Sequence, residues 1–489
     1  MDSIDLWIIG CYLLATLVLG VWLGRGQKNQ ADFFLGGRDL PWVALLLSIV
    51  ATETSTVTFL SVPGLSFQEG GNFYFLQLAI GYIIGRLAVV VILLPMHFSG
   101  RPLTAYAILE HRFGTATRQA GSIVFLLART AGDGLRLLLT ALALHHAVGW
   151  PIEGCVVAIA GVAGIYSLWG GVKSVVWNDC LQFGIYTLGA FVILAVILGR
   201  LPRGFSQLTD FAVQTGRDHF LDFTLPFTGH VDHITFWSGL FGGAFLSLAT
   251  HGADHLIVQR YLCAKNQKAA ALALATSGPV VFLQFALFLL IGLGVACYFN
   301  EFDPSRLTTP KDQALASFVV TELSPGVRGL IMAAVFAAAM STLSSSVNSS
   351  ASSLMDDLIA PWVRHWSEEK VMLMARILTA VFTVAQAVVA IAVYWTYNDS
   401  AIITQVLAIA GFAAGLLLGL YFLGMAVGRA KNWQAISALI VGAAVTSYAL
   451  ACEVNGLWFP VIGAGTTMMT GILLTLMFPS NEPESNANA

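Results

Sequence analysis

Apolar runs of about 20 residues recur along nearly the whole chain, and short polar stretches separate them. A helix needs about 20 mostly apolar residues to cross the roughly 30 Å hydrocarbon core of a bilayer. The runs predict thirteen membrane-spanning segments: 4–24, 40–63, 71–97, 120–146, 151–169, 175–199, 233–259, 272–298, 326–355, 371–395, 401–427, 432–452 and 457–477. We therefore predict an all-α membrane protein in which residues 1–477 form a single transmembrane domain.

Positive charge falls mainly on alternate connections between these segments. Fifteen of the 24 basic residues lie in or beside them: Arg25, Lys28, Arg38, Arg101, Arg112, Arg118, Lys173, Arg260, Lys265, Lys268, Arg364, Lys370, Arg376, Arg429 and Lys431. Because short loops rich in Lys and Arg stay in the cytoplasm, we predict the N-terminus outside a plasma (inner) membrane and the C-terminus inside. Residues 478–489 are polar and are predicted to form a disordered cytoplasmic tail.

The composition agrees with a chain embedded in lipid. Charged residues make up only 10% of the sequence, against roughly 25% in soluble domains. The net charge of -3 provides no basic face for nucleic acid. The six cysteines lie far apart without a C-x-x-C pair, so neither disulfide bonds nor a metal cluster is predicted. The expected partners are the lipid bilayer and a small solute, with no obligate protein partner.

The second segment carries a dense polar run, residues 51–58, followed by Pro63 and Gly64. This pattern predicts a helix that breaks near its middle, and a break frees backbone carbonyls that carriers use, with hydroxyls, to hold sodium. Helix packing through Ser and Thr is the alternative. Packing needs no carboxylate, however, and Glu53 lies within the run.

The ninth segment contains a serine-rich stretch in which Ser341, Ser344 or Ser345, and Asn348 share a face at helical spacing. Neutral oxygens of this kind suit a hard monovalent cation, although small residues also allow close helix packing in membranes. Together, the second and ninth segments favour a sodium site, since the first supplies carbonyls and the other supplies hydroxyls.

The fourth segment places three charges on one helix face: Arg129, Asp133 and Arg136. Charges inside a membrane need partners or a water-lined cavity. An internal ion-pair cluster is one interpretation. Because two cations face one acid, the cluster could also attract Glu53 or a substrate carboxylate, and the sequence leaves both possibilities open.

The seventh segment ends in His251, Gly252, Ala253, Asp254 and His255, which is similar to the reversed zinc-protease pattern H-x-x-E-H. Asp replaces Glu and no third ligand is identifiable, so we favour a helix break with a polar lining over an intramembrane metalloenzyme. No hydrolase, ATP-binding or dinucleotide motif occurs. We therefore predict that the protein is not an enzyme, that it binds no metal other than sodium, and that an ion gradient drives it.

Several motifs follow one another in an order typical of one family. They are the stretches 33–39 (FFLGGRD), 170–173 (GGVK), 177–182 (WNDCLQ), 258–262 (VQRYL) and 339–344 (AMSTLS), the last followed by Asn348 and Ser349. In these stretches the chain resembles the sodium:solute symporter family, a group of LeuT-like carriers. The resemblance implies a core of two inverted five-helix repeats, segments two to six and seven to eleven, with a break in the first helix of each.

The resemblance also implies sodium as the coupling ion and a set of ligands for it. The common sodium site would use the carbonyls of Ala51, Thr54 and Ala338 with the hydroxyls of Ser341 and Thr342. A second sodium, as in relatives that carry acidic sugars, would use Asp179, Ser341, Ser344 and Ser345.

The resemblance gives a less uniform indication of the solute. The predicted substrate residues are Glu53, Ser55, Thr58, Phe73, Gln77, Arg129, Asp133 and Arg136. The arginine that acidic-sugar carriers place on the fourth segment falls near Gly132 here. Proline carriers have an acid where Glu53 stands, and galactose carriers have one where Gln77 stands. We therefore expect an amino acid such as proline, or a related carboxylate; the alternatives are an acidic or other sugar and, in another class, a solute sensor on a transporter scaffold.

Overall fold

The computed structural model describes residues 1–25, 29–99, 102–224, 234–363, 365–396 and 402–479, except for the side chains of 146–147 and 402–404. Within these ranges the chain forms twenty α-helices and no β-strand, only an isolated bridge between Leu40 and Ala264. Three basic residues assigned above to the cytoplasmic side, Lys28, Arg101 and Arg364, lie outside the described residues, as do residues 480–489 of the predicted tail.

The first ten helices are α1 (Ser3–Leu23), α2 (Gln30–Leu35), α3 (Trp42–Glu53), α4 (Thr56–Phe67), α5 (Phe75–Ala88), α6 (Leu94–Phe98), α7 (Ala107–Phe113), α8 (Thr115–Val148), α9 (Ile152–Arg200) and α10 (Phe205–Gln214). The other ten are α11 (Gly243–Gly252), α12 (His255–Leu262), α13 (Gln267–Phe302), α14 (Lys311–Glu322), α15 (Val327–Ser353), α16 (Ala360–Val363), α17 (Glu368–Thr396), α18 (Ile402–Ala426), α19 (Asn432–Ala451) and α20 (Phe459–Met477). Short π or 3₁₀ turns extend or connect several of them.

Nine helices in the described part of the chain are long and apolar enough to cross a membrane, and the bent pair α3 and α4 makes ten. The prediction of an all-α membrane protein is therefore confirmed at this level. Apolar side chains on the outer faces, such as Leu127 and Trp395, are exposed on the protein surface. In a bilayer these faces contact hydrocarbon, so they do not require the charged side chains of a water-exposed surface.

The predicted break in the second segment is present. α3 ends at Glu53 and α4 begins at Thr56, and the two axes differ by 61°. The Ser55 amide donates to the Glu53 carbonyl (3.0 Å) instead of to the carbonyl of Ala51, four residues earlier. The break therefore frees Ala51 from the usual helical pairing, which is the kind of carbonyl that a cation site needs.

The seventh segment is also divided. α11 ends at Gly252 and α12 begins at His255. Asp254 caps α12, because its carboxylate accepts a hydrogen bond from the Leu256 amide (2.9 Å). A polar helix break at this position, favoured over a metal site from the sequence, is what the structure contains.

One long helix contains a sharp internal bend. The 49 residues of α9 would span about 74 Å if straight, more than twice the roughly 30 Å hydrocarbon core. Gly171 interrupts the helix with φ 53° and ψ −165°, a backbone conformation that residues other than glycine rarely adopt. The interruption falls in the gap between predicted segments 151–169 and 175–199.

α15 lies at the centre of the molecule, and almost all of its residues are buried. It packs against α1, α3, α8, α9 and α17. Its alanines and serines allow this close approach on all sides. At its N-terminus the Asp5 carboxylate of α1 accepts from the amides of Gly326 (2.8 Å) and Gly329 (2.9 Å), which places a negative charge at the positive end of the helix.

Candidate cation and solute site

The oxygens predicted for the common sodium site meet where the α3–α4 break touches the middle of α15. The Thr342 hydroxyl lies 3.1 Å from the Thr52 carbonyl and 3.4 Å from the Ala338 carbonyl. Ala51 and Ser341 are fully buried beside them. The Thr54 hydroxyl donates to Gln284 Oε1 (2.6 Å).

A second cluster of oxygens surrounds Asp179. This residue belongs to the WNDCLQ motif and lies on α9 after the interruption at Gly171. Its carboxylate accepts hydrogen bonds from Ser341 (2.7 Å), Ser48 (2.5 Å) and Thr52 (3.5 Å). Ser345 lies 3.3 Å from the Thr52 hydroxyl. The Ser344 hydroxyl donates to the Ser341 carbonyl at 3.2 Å, within the same helix.

Arg260 joins this cluster, although the sequence assigned it to a cytoplasmic connection. α12 continues to Leu262 and buries the Arg260 side chain completely. Its guanidinium donates to Ser345 and lies 3.7 Å from the Asp179 carboxylate. Burial of a charge requires such a partner, which explains why this arginine lies inside the protein despite its position near the end of a predicted segment.

The two histidines of the seventh segment have separate partners. His255 Nδ1 accepts from the Ala105 amide (3.2 Å), whereas His251 Nδ1 contacts the Ser247 carbonyl (3.1 Å). Among the residues that the structure describes, no three His, Cys, Asp or Glu side chains group so that they could hold a metal ion. The described geometry therefore offers no support for a metalloenzyme built on this pair.

A cavity of about 110 Å³ lies at the two helix breaks. Phe75, Phe285 and Leu246 form part of its apolar wall. Its polar wall contains Thr52, Glu53, Ser55, Thr58, Tyr82, Arg129, Arg136, Thr250 and His251. An apolar cavity with a few convergent polar groups is typical of a small-molecule site.

The charged groups around this cavity form two ion-pair networks. Arg86, which is completely buried, donates to Glu53 and to the Ser277 hydroxyl (2.8 Å). Arg129 pairs with Asp254. The sequence left Glu53 or a substrate as the partner of the arginines on the fourth segment; the structure instead pairs Glu53 with Arg86.

Asp133 lies behind the arginines and does not line the cavity. Its Oδ1 pairs with Arg136 and lies 3.7 Å from Arg129 Nη1. The helical spacing brings these three side chains together as predicted, because residues three and four apart share a helix face. In this arrangement Asp133 holds the arginines, while Arg129 and Arg136 reach the cavity.

Phe73 and Gln77, two further predicted substrate residues, also lie away from the cavity lining. The Gln77 amide donates to the Ile234 carbonyl (3.0 Å) and its oxygen accepts from the Asp222 amide (2.9 Å). The Phe73 amide donates to the His219 carbonyl (2.9 Å). Both residues fasten the 215–222 connection, so a role in solute binding stays a prediction for them.

Arg86 and His251 are among the side chains at this site that sequence reasoning missed. Arg86 lies within the predicted segment 71–97, where a charge requires a partner, but no partner was predicted for it. His251 was weighed as a metal ligand and as part of a polar-lined helix break, but not as a solute contact. The need of Arg86 for a partner could therefore be read from the sequence. The position of His251 at the cavity could not, because it depends on which side chains of other helices face it.

Comparison with known proteins agrees with this geometry. A family model described as "Sodium:solute symporter family" matches residues 33–442. The chain is 30% identical to the sodium-dependent multivitamin transporter of Oryctolagus cuniculus over 447 residues, which cover 90% of this chain and 69% of the relative. It is 29% identical to the sodium/sialic acid symporter SiaT of Proteus mirabilis over 479 residues, covering 96% and 94%.

A solved structure extends the similarity to three dimensions. It is a substrate-bound, outward-open Na⁺-coupled sialic acid symporter, 27% identical, with a TM-score of 0.87 and 98% coverage of both chains. These relatives are sodium-coupled carriers and not enzymes. The motifs, the broken helices and the family match over most of the chain lead to one conclusion: this multi-pass membrane protein belongs to the sodium:solute symporter family.

Proposed function

We propose that the protein imports a small organic acid together with sodium by alternating access, and that an acidic sugar is the first candidate for the solute. The observation that carries this proposal is the cavity at the helix breaks, where Arg129 and Arg136 face the space beside the oxygens of the cation clusters. Arginine binds carboxylates through paired, charge-assisted hydrogen bonds. The sialic acid symporters among the relatives favour this acidic-sugar alternative over the amino acid that we expected from the sequence.

The balance of charge around the cavity supports the same pairing of solute and ion. Three acids and three arginines surround it: Glu53, Asp133, Asp254, Arg86, Arg129 and Arg136. An uncompensated charge inside a membrane protein costs several kcal/mol. A carboxylate and the sodium ion of the common site together add no net charge beside this cavity, so each favours the binding of the other.

We further propose two roles for the buried oxygens. The carbonyls of Ala51, Thr54 and Ala338 with the hydroxyls of Ser341 and Thr342 hold the common sodium. A second sodium binds Asp179, Ser341, Ser344 and Ser345. The freed Ala51 carbonyl and the contact between Thr342 and the Ala338 carbonyl (3.4 Å) support the first assignment, and the hydrogen bond from Ser341 to Asp179 (2.7 Å) supports the second, because sodium is a hard cation that favours several oxygens.

For the whole chain we propose thirteen spans in a single domain of residues 1–477, with a 5+5 inverted-repeat core, the N-terminus outside and the C-terminus in the cytoplasm. The helix bounds support this number. Nine apolar helices and the bent pair count as ten spans. α8 and the α11–α12 pair add two more, and α9 counts as two spans because Gly171 interrupts it.

Transport by purified protein in liposomes tests the proposed function. N-acetylneuraminate, glucuronate and proline are offered under an inward sodium gradient, and under potassium or proton gradients as controls. We expect accumulation of an acid, chemically unchanged, only with sodium. Equal uptake with potassium would exclude sodium coupling, accumulation of proline alone would exclude the acid, and sodium-dependent binding without any accumulation would indicate a sensor.

A further inference from the structure

His251 presents one ring nitrogen to the solute cavity without a hydrogen-bond partner in the described structure. The side chain lies on α11 and is 2% exposed. Among the described residues its Nε2 atom has no hydrogen-bond partner, and Glu53 Oε2 is 3.8 Å away. That distance is too long for a hydrogen bond. A buried, unpartnered polar atom at a cavity wall needs an explanation, and a bound ligand is one that the location suggests.

The partners of the other ring nitrogen determine where the proton lies. His251 Nδ1 contacts the Ser247 carbonyl (3.1 Å), which can only accept, and the Thr250 hydroxyl (3.0 Å). That hydroxyl already donates its proton to the Leu246 carbonyl (2.9 Å). Both contacts therefore require a proton on Nδ1. In the neutral ring Nε2 then carries no proton and can only accept a hydrogen bond. The described wall of the cavity offers it no donor.

The charge at this end of the cavity distinguishes between possible donors. Glu53 is already paired with Arg86, so the pair has no net charge. An ammonium group entering here would lose its hydration without gaining a free carboxylate, and it would approach the Arg86 guanidinium. A neutral hydroxyl loses far less on leaving water and can donate to His251 directly.

We propose that His251 Nε2 accepts a hydrogen bond from a hydroxyl group of the solute and is therefore a specificity-determining residue that selects hydroxylated carboxylic acids. This inference rests on the proposed function, because Arg129 and Arg136 in the same cavity receive the carboxylate. The solute thus has two recognised ends: an anionic end at the arginines, and a hydroxyl-bearing end at His251 and Glu53. Simple aliphatic acids lack the second end, and amino acids carry an ammonium in its place.

Two sets of matched probes test this inference on the full-length protein in liposomes. Lactate, propionate and alanine share a short carbon chain and carry a hydroxyl, no substituent or an ammonium at the same carbon; glucuronate and cyclohexanecarboxylate form a larger pair. We expect the hydroxylated acid of at least one set to compete for sodium-driven uptake about 10- to 100-fold better than its counterparts, since a site built to bind a hydroxyl rejects the analogue that lacks it.

Two variants locate this preference at His251. His251→Phe keeps a ring but has no acceptor, so the preference for the hydroxylated acid should fall to within about threefold. His251→Gln offers an amide oxygen near the position of Nε2 and should restore part of it. The sodium concentration for half-maximal uptake, measured at saturating solute, should change far less than this preference in both variants, because His251 is not among the proposed sodium ligands. Gel filtration and sodium-dependent thermal stability show whether each variant is folded.

The results separate this inference from the proposed function. If no acid accumulates with sodium, the proposed function fails and the inference fails with it. If acids accumulate with sodium but hydroxylated and plain acids compete equally in the wild-type protein, only the inference is overturned. The same holds if the wild-type protein prefers the hydroxylated acid and His251→Phe retains that preference. The wild-type comparison needs no variant, so it decides even if His251→Phe does not fold.

Discussion

The Thr342 hydroxyl contacts two carbonyls, that of Thr52 on α3 and that of Ala338 on α15, at the proposed sodium site. Its removal, together with the γ-methyl group, in Thr342→Ala takes one oxygen from a proposed set of five. We expect Thr342→Ala, and likewise Ser341→Ala, to raise the sodium concentration for half-maximal uptake about tenfold, because a hydrogen-bonding or ligating group of this kind contributes about 1–2 kcal/mol. Uptake at graded sodium concentrations gives the value.

Thr342→Ser is the matched control for this prediction. It keeps the hydroxyl and removes only a methyl group, so its sodium dependence should stay close to that of the wild-type protein. Unchanged sodium dependence in both alanine variants would mean that the sodium site lies elsewhere.

The ion pair of Glu53 and Arg86 lies between the solute cavity and the protein interior, with the Arg86 side chain 0% exposed and that of Glu53 17% exposed. Removing one partner leaves a buried charge unpaired, which costs about 3–5 kcal/mol. We therefore expect Glu53→Gln to lower the melting temperature of the purified protein markedly. Thermal unfolding followed by intrinsic fluorescence measures the change.

The double variant Glu53→Gln with Arg86→Met provides the control. It removes both charges and keeps much of the side-chain volume, so its melting temperature should recover most of the loss. If the double variant is as unstable as the sum of the two single ones, the two residues do not interact energetically.

At the scale of single residues, the sequence identified the polar side chains within the membrane segments but predicted few of the pairs that they form. Arg129, Asp133 and Arg136 lie on one helix, so their spacing alone brings them together. The pairs Arg86–Glu53 and Arg129–Asp254 join different helices. Such pairs depend on helix packing, which no local pattern determines.

At the scale of an element, α12 joins the solute cavity to the second cation cluster. Asp254 precedes its first turn and pairs with Arg129 at the cavity, whereas Arg260 in its last turn donates to Ser345 and faces Asp179. The two residues are six apart, or about 9 Å along a helix. A short rigid helix with one contact at each site can transmit occupancy of one site to the other.

We therefore expect Asp254→Asn to weaken the coupling between sodium and solute. In the wild-type protein, saturating sodium should tighten solute binding about 5- to 150-fold, the usual range of coupling between two sites. In the variant this ratio should fall severalfold, because α12 loses its charged contact at the cavity. The ratio is measured by calorimetric titration of the transported acid at high and at low sodium.

Asp210→Asn is a suitable control, since it breaks an exposed ion pair with Arg203, neither residue lines the cavity or belongs to the proposed sodium sites, and the ratio should stay unchanged. The same ratio in Asp254→Asn and in the wild-type protein would exclude α12 as the link.

The helix breaks show what the sequence reveals at this scale. Polar side chains among apolar ones marked the break after Glu53, and a Gly-Ala-Asp stretch marked the one before His255. Both breaks are local, so a local pattern could reveal them. The length of α12 was not predictable in the same way: Arg260 suggested a membrane boundary, and only its buried partners explain why the helix continues inside the protein.

At the scale of the whole molecule, composition and segment lengths were sufficient for an all-α membrane fold, because a bilayer admits few alternatives. They were not sufficient for the position of α15 at the centre. Its serines and alanines are compatible with a lipid-facing helix of moderate hydropathy, and its burial becomes evident only from the surrounding helices. The cavity likewise depends on side chains from several separate helices, which chain order alone does not bring together.

The proposed thirteen spans, an odd number, would place the two ends of the chain on opposite sides of the membrane, and the distribution of Lys and Arg predicts the C-terminal end inside. Glu69 and Lys265 are exposed residues on connections predicted outside and inside, respectively. In a protein whose exposed Cys11 and Cys452 are replaced by serine, a membrane-impermeant maleimide applied to intact cells should label Glu69→Cys and leave Lys265→Cys unlabelled until the membrane is permeabilised. The reverse pattern would mean an inverted orientation, and labelling of both in intact cells would mean that the proposed number of spans between the two positions is wrong.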